Sequence, residues 1–96
     1  MAKRTPQGKT KHDSGVQKVA EYYENKGYRV EADVTGFPSP SSINGRRPDV
    51  VAKNRKETVI TEVETKDSLE KDRAQREVFQ KYADSHENTR FRTKTV

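Results

Sequence analysis

Hydrophobic residues recur along this chain with two spacings, and each spacing predicts a type of secondary structure. Apolar residues three or four positions apart near the start place one apolar stripe on a helix, which we predict over residues 14–26. The stripe consists of Val16, Val19, Ala20 and Tyr23. Ser14 and Gln17 form a capping-box pattern at the start of this helix, and Gly27 is suited to follow its end.

Alternating apolar and polar positions predict four strands. We place them at residues 28–34, 46–52, 57–66 and 89–96. A second helical stripe predicts a helix over 68–84, with Asp67 and Glu70 as a capping pair, and the turn-rich segment 35–45 is predicted to be a mobile loop. The element order is therefore αβββαβ, which predicts an α/β (α+β) fold with a mixed sheet.

Composition limits the size of the fold. Only 28% of the 96 residues are hydrophobic, so we expect one small domain over residues 13–96 and no large core. The chain has no cysteine, which excludes disulfides and thiolate metal sites. It also has no apolar run long enough for a membrane helix or a signal peptide, so we expect a soluble, cytoplasmic protein.

The excess positive charge is concentrated at the N-terminus. Residues 1–12 carry four of the five net positive charges and no acid, and we interpret them as a flexible basic arm. These four residues are Lys3, Arg4, Lys9 and Lys11. The arm either contacts phosphates or serves only as a solubilising terminus, and the sequence leaves both interpretations open.

Two acidic residues share one face of the third predicted strand. Glu62, Glu64 and Lys66 alternate there, and alternate residues of a strand lie about 6.6 Å apart. The two carboxylates could share a metal ion or a water molecule, or this could be the solvated face of an amphipathic strand. Asp49, directly after Pro48, supplies a third carboxylate from the neighbouring strand. Three carboxylates of this kind suit Mg²⁺ or Mn²⁺, which could stabilise charge on a phosphate.

This combination resembles the PD-(D/E)xK nuclease superfamily, which includes many restriction endonucleases and the archaeal Holliday-junction resolvases. The resemblance rests on Pro48-Asp49, on Glu62-Val63-Glu64 thirteen residues later, and on the element order, and it covers about residues 12–96. It implies a restriction endonuclease-like core in which two helices pack on a four-stranded sheet. It also implies that Asp49 and Glu62 bind the divalent metal.

The chain departs from that family at the motif lysine. In the favoured register Glu64 occupies the lysine position and is a further candidate metal ligand, and Lys66 is a candidate replacement for the missing lysine. The alternative register, Glu64-Thr65-Lys66, keeps a lysine but lengthens the spacing to fifteen residues. The resemblance also suggests that Gln75 lies near the site, although it could instead be a polar residue at the edge of the helical stripe.

Basic residues flank the acidic motif in sequence. We expect the following to contact nucleic acid: Lys9, Lys11, Arg46, Arg47, Lys71 and Arg73, together with Gln75. His12 and His86 have no partner at ligand spacing, so both are predicted to lie on the surface.

These observations favour a metal-dependent nuclease that hydrolyses DNA. The alternatives are a non-catalytic nucleic-acid-binding module, in which the acidic strand faces solvent, and a regulatory or interaction protein that needs a partner to complete its sheet. A homodimer is plausible for a core this small. The sequence leaves the choice between DNA and RNA open.

Overall fold

The computed structural model describes residues 6–96, with side chains described from Thr10 onward. Four strands form one mixed sheet in the order β1-β2-β3-β4, in which the first two pairings are antiparallel and β3 pairs with β4 in parallel. The elements are α1 (Pro6–Asn25), β1 (Arg29–Ala32), β2 (Val50–Lys53), β3 (Thr58–Glu64), α2 (Ser68–Lys71), α3 (Arg73–Ser85) and β4 (Thr89–Thr95). The predicted fold class is confirmed.

The main helices lie on opposite faces of the sheet. On the α1 face, Val16, Ala20 and Tyr23 pack against apolar residues of the first three strands. On the other face, α3 buries Phe79 and Ala83, and Phe79 contacts Phe91 of β4. Because both faces of β3 are covered, its residues from Val59 to Glu64 are buried regardless of polarity.

The first helix begins at Pro6, eight residues before the predicted start. Proline is favoured in the first turn of a helix because its fixed φ suits that position. Ser14 lies inside α1, so the predicted capping box is wrong, and residues 6–12 of the predicted flexible arm form the first turns of a helix. Residues 1–5, with the rest of the predicted arm, lie outside the described residues, and the division of the chain at residue 12 stays a prediction.

The predicted second helix is interrupted. A short α2 precedes α3, and Asp72 between them has non-helical backbone angles. The predicted Asp67 cap makes no side-chain hydrogen bond. Instead, Thr65 and Ser68 cap each other, since the Thr65 N–H donates to Ser68 Oγ at 2.9 Å and the Ser68 N–H donates to Thr65 Oγ1 at 3.3 Å.

The loop between β1 and β2 is longer than predicted. Arg46 and Arg47 belong to it and not to a strand, because β2 begins at Val50. A tight turn closes on the bridge between Ile43 and Arg46, and Asn44 in this turn has a positive φ of 51°. No helix within residues 6–96 is long and apolar enough to cross a membrane.

Candidate active site

Two buried carboxyl groups meet where β2 begins. Val50 pairs with Thr61 in the antiparallel register, so Asp49, one residue earlier, lies opposite Glu62. The Asp49 N–H donates to Glu62 Oε2 at 3.2 Å, and the Val63 N–H donates to Asp49 Oδ2 at 2.8 Å. Asp49 is 6% exposed and Glu62 is 1% exposed, so the interpretation of the acidic strand as a solvated face is wrong.

Burial makes these two carboxyl groups share a proton. Burial, the hydrogen bond with Asp49 and the charge of Asp49 raise the pKa of Glu62 to about 10. Burial also acts to raise the pKa of Asp49, but hydrogen bonds from His12 and Glu62 outweigh it and lower that pKa below its ordinary value. At neutral pH and without a cation, Glu62 is therefore the protonated partner and Asp49 the ionised one.

His12 is part of this cluster. Its Nε2 lies 3.2 Å from Asp49 Oδ2, its Nδ1 lies 3.3 Å from Asp13 Oδ1, and the residue is 5% exposed. The prediction of a surface position was wrong because the partner is 37 positions away in sequence. One local signal was available: His12 precedes Val16 and Ala20 at spacings of four, and so lies on the buried face of α1.

Gln75 reaches the carboxyl pair from α3. Its Nε2 donates to Glu62 Oε1, whereas the Asp49 N–H donates to the other carboxyl oxygen, Oε2. Both oxygens of Glu62 therefore accept a hydrogen bond. Gln75 is partly buried at the rim of the site. The Gln75 side chain therefore fixes the orientation of the Glu62 carboxyl group and is itself partly exposed to solvent.

Glu64 belongs to a second buried network. The Ser68 hydroxyl donates to Glu64 Oε2 at 2.5 Å, and Arg76 Nη1 lies 3.5 Å from Glu64 Oε1. Burial raises the pKa of Glu64, while Ser68 and Arg76 oppose this rise. Arg76 Nη1 is buried, forms this ion pair and has no hydrogen-bond partner. One buried nitrogen of a partly exposed guanidinium group is thus held beside Glu64 without a hydrogen-bond partner.

Lys66 does not share the face of Glu62 and Glu64. The strand ends at Glu64, and the chain turns at Thr65, whose carbonyl accepts from the amides of Ser68 and Leu69. Lys66 is exposed, and no hydrogen bond or ion pair within residues 10–96 involves it. The prediction of its placement is wrong, and the sequence analysis missed Arg76, a cation from another element.

The other basic candidates lie on the surface. Arg46 and Arg47 line a pocket of about 380 Å³ together with Asn44, Gly45 and Gln75. Because Gln75 also touches Glu62, this pocket adjoins the carboxyl pair. Lys11, Lys71 and Arg73 are exposed, and Arg73 forms an exposed ion pair with Glu77 at 3.8 Å. The Lys9 side chain lies outside the described side chains.

The donor set fits a magnesium ion that keeps much of its water. Within residues 10–96, no three histidine, aspartate or glutamate side chains are assembled to hold a metal. Mg²⁺ is commonly held by one or two carboxylates and several waters, and Asp49 with Glu62 supplies such a pair. Two carboxyl groups that share a proton are also a place where a cation can replace that proton.

A restriction endonuclease-like class is defined by this fold and by the position of the acidic residues in it. The REase_AHJR-like family model matches residues 5–95, so the chain belongs to this restriction endonuclease-like (PD-(D/E)xK) family. No significant match was found among curated proteins. The fold of the chain is therefore that of a nuclease family, as the resemblance in its motif implied.

Proposed function

We propose that this protein is a metal-dependent nuclease that hydrolyses phosphodiester bonds of DNA. The observation that carries the proposal is the buried Asp49–Glu62 pair, at the two positions that the resemblance to the PD-(D/E)xK motif assigns to metal ligands. Two buried carboxyl groups without a cation raise the free energy of the folded state. A binding role accounts for their burial better than a structural one.

Asp49 and Glu62 are the residues proposed to hold Mg²⁺ or Mn²⁺. A bound Mg²⁺ supplies Lewis-acid stabilisation of the charge that develops on the phosphate. His12 and Val63 fix Asp49, and Gln75 fixes Glu62, so the two carboxyl groups are oriented before the cation arrives. Glu64, the third predicted ligand, is fixed by Ser68 beside this pair.

Glu64 and Arg76 are proposed to replace the motif lysine. Burial raises the pKa of Glu64, which suits a carboxylate that accepts a proton from an attacking water. Arg76 carries the positive charge that the lysine would supply, and it holds this charge beside Glu64, with Nη1 3.5 Å from Glu64 Oε1. This assignment uses Arg76 in place of the exposed Lys66.

The substrate would enter past the exposed arginines. Arg46 and Arg47 line the pocket that adjoins Gln75, and neither is paired with an acid within the described part of the chain. Such cations bind phosphates of any sequence and give salt-dependent affinity. DNA as the substrate remains a prediction. A homodimer is also a prediction, and sedimentation at several protein concentrations tests it.

A cleavage assay tests the proposal. We expect Mg²⁺-dependent cutting of DNA, with Asp49→Asn reducing the rate by a factor of about 10² or more, because a ligand is lost at the reacting phosphate. Arg76→Gln should reduce it by a similar factor, and Arg76→Lys should retain part of it. The matched control is Asp84→Asn, which changes an exposed carboxylate of α3. Equal cutting by wild type and Asp49→Asn would contradict the proposal.

A non-catalytic DNA-binding role is the second candidate. It is favoured by two observations: Glu64 stands at the motif position of the lysine, and Lys66 is exposed. In that case the wild type would bind DNA but give no product on duplex, branched or single-stranded substrates with either Mg²⁺ or Mn²⁺. Asp49→Asn would then leave the DNA affinity unchanged.

A further inference from the structure

A second groove lies on the other side of the sheet from Glu62. It runs between α1 and β4, encloses about 390 Å³, and is lined by Lys18, Tyr22, Tyr23, Thr61, Arg92 and Lys94, among others. It exists because α1 packs over the first three strands and leaves β4, the edge strand, uncovered on this face. We call it the α1–β4 groove.

The groove is positively charged. Lys18, Arg92 and Lys94 contribute three cations, and no acid lines it within the described residues. Arg92 Nη1 donates to the Tyr23 hydroxyl at 2.8 Å, which holds the guanidinium group along the wall. Concentrated positive charge without a paired acid attracts an anionic ligand from solution.

The groove also presents an aromatic ring. Tyr22 is 51% exposed and is the only exposed large hydrophobic side chain in the described part of the chain. Its ring contacts Tyr23 edge-on, and the Lys26 ammonium lies 4.9 Å from the Tyr22 centroid. A half-exposed ring among cations is the arrangement that binds an unpaired base together with its phosphates.

The groove and the candidate active site lie on opposite faces of β3. Lys94 pairs with Val63, which lies between the two acidic motif residues, and neighbouring strands are about 4.8 Å apart. The Lys94 side chain therefore projects from the face of the sheet opposite to Glu62, and α3 packs on β4 on the Glu62 face. The groove encloses about 390 Å³, which suits an unpaired base with its phosphates and is too small to enclose a duplex.

We infer that the α1–β4 groove binds a single strand of nucleic acid. The inference deepens the proposed function and rests on it for the class of ligand. Lys18, Arg92 and Lys94 contact successive phosphates, and Tyr22 stacks with one unpaired base. The expected ligands are therefore nucleic acids that contain a single-stranded segment.

Binding without divalent metal tests this inference. Fluorescence anisotropy with a labelled single-stranded oligonucleotide in EDTA compares the wild type with the triple variant Lys18→Gln, Arg92→Gln and Lys94→Gln. We expect at least about tenfold weaker binding and a salt slope lower by about 2, since each phosphate contact with a single strand contributes about 0.7. Tyr22→Ala should weaken single-strand binding about fivefold or more and change blunt-duplex binding by less than about twofold.

A matched variant controls for net charge. Lys53→Gln, Arg55→Gln and Lys56→Gln remove three exposed cations from the end of β2 and the turn that follows it, at the end of the sheet away from Asp49. The double variant Lys18→Gln and Lys94→Gln keeps the Arg92–Tyr23 hydrogen bond. It replaces the triple variant in this experiment if the triple variant does not fold. Equal loss of affinity in groove and turn variants would overturn the inference, as would unchanged single-strand binding by Tyr22→Ala.

The remaining outcomes separate this inference from the proposed function. If groove variants alter sedimentation of the free protein and leave oligonucleotide affinity unchanged, the groove is a protein interface and the inference is wrong. If groove variants lose single-strand binding but the wild type cuts nothing with Mg²⁺, the inference stands and the proposed nuclease activity fails. If the wild type cuts a blunt duplex, and the groove variants have the same cleavage rate and the same single-strand affinity as the wild type, only the inference fails.

Discussion

At the residue scale, the environment of each acid decides its ionisation. Asp49 accepts from a backbone amide and lies against His12, which stabilises its ionised form. Glu62 is more buried, faces the Asp49 charge, and keeps its proton. The sequence shows two carboxyl groups thirteen positions apart. In the folded protein one of them is an anion and the other is a neutral acid.

The raised pKa of Glu62 predicts how stability depends on pH. The folded state holds this proton up to about pH 10, whereas an unfolded glutamate loses it near pH 4.3. The stabilisation from proton binding is complete below pH 4.3 and is lost as the pH rises toward 10. Metal-free wild type should therefore become less stable between pH 5 and pH 9.

Glu62→Gln removes this titration. A neutral amide has nothing to ionise in the unfolded state, so the variant should lose less stability between pH 5 and pH 9. At pH 7 we expect it to be more stable than the wild type by about 1 kcal/mol or more, which is about 4–8 °C in Tm for a small domain. Thermal melts in EDTA measure this, with Glu24→Gln on the exposed side of α1 as the control. Parallel pH profiles for wild type and Glu62→Gln would refute it.

At the element scale, the close approach of α1 to the sheet positions His12. A Cβ atom at Gly15 would lie 2.8 Å from Val63 Cγ1 and 2.8 Å from Val96 Cγ1. His12 is one helical turn earlier and meets Asp49, which accepts from the Val63 amide. The missing side chain at Gly15 thus sets the distance between helix and strand.

Gly15→Ala should therefore destabilise the protein. Alanine is the better helix former by about 1 kcal/mol, but overpacking a buried contact costs about 1–3 kcal/mol. We expect a lower urea midpoint and, because α1 moves away from Asp49, slower cleavage. Ser14→Ala, at the exposed neighbouring position, should be neutral or slightly stabilising. A Gly15→Ala variant as stable as the wild type would show that the contact is not tight.

At the scale of the whole molecule, the site depends on all layers of the fold. His12 comes from α1, Asp49 and Glu62 from the sheet, and Gln75 and Arg76 from α3 on the opposite face. No single element carries the site, so binding of the cation and global folding are linked. A ligand that binds only the folded state stabilises the whole chain.

Mg²⁺ should accordingly raise the Tm of the wild type. At a concentration one hundred times the dissociation constant, the stabilisation is about 2.7 kcal/mol. Asp49→Asn should lose this response, whereas Asp84→Asn should keep it. Differential scanning calorimetry over a series of Mg²⁺ concentrations measures the effect. An equal rise in wild type and Asp49→Asn would place the cation elsewhere.

The amino-acid sequence by itself determined the element order, the β-rich core and the opposition of Asp49 to Glu62. These follow from local periodicity and from the antiparallel pairing of neighbouring strands, which are short-range properties of a chain. The acidic pair was therefore predictable, and so was the family.

Only the tertiary structure decided which other side chains join the pair. His12 and Arg76 come from helices on opposite faces of the sheet, and their reach depends on how closely each helix packs. Lys66 was misplaced because the end of β3 is set by the cap between Thr65 and Ser68, which no periodicity encodes. Glu62 and Glu64 are likewise buried because α3 covers their face of β3. The alternating apolar and polar residues of the strand predict instead that this face is exposed to solvent.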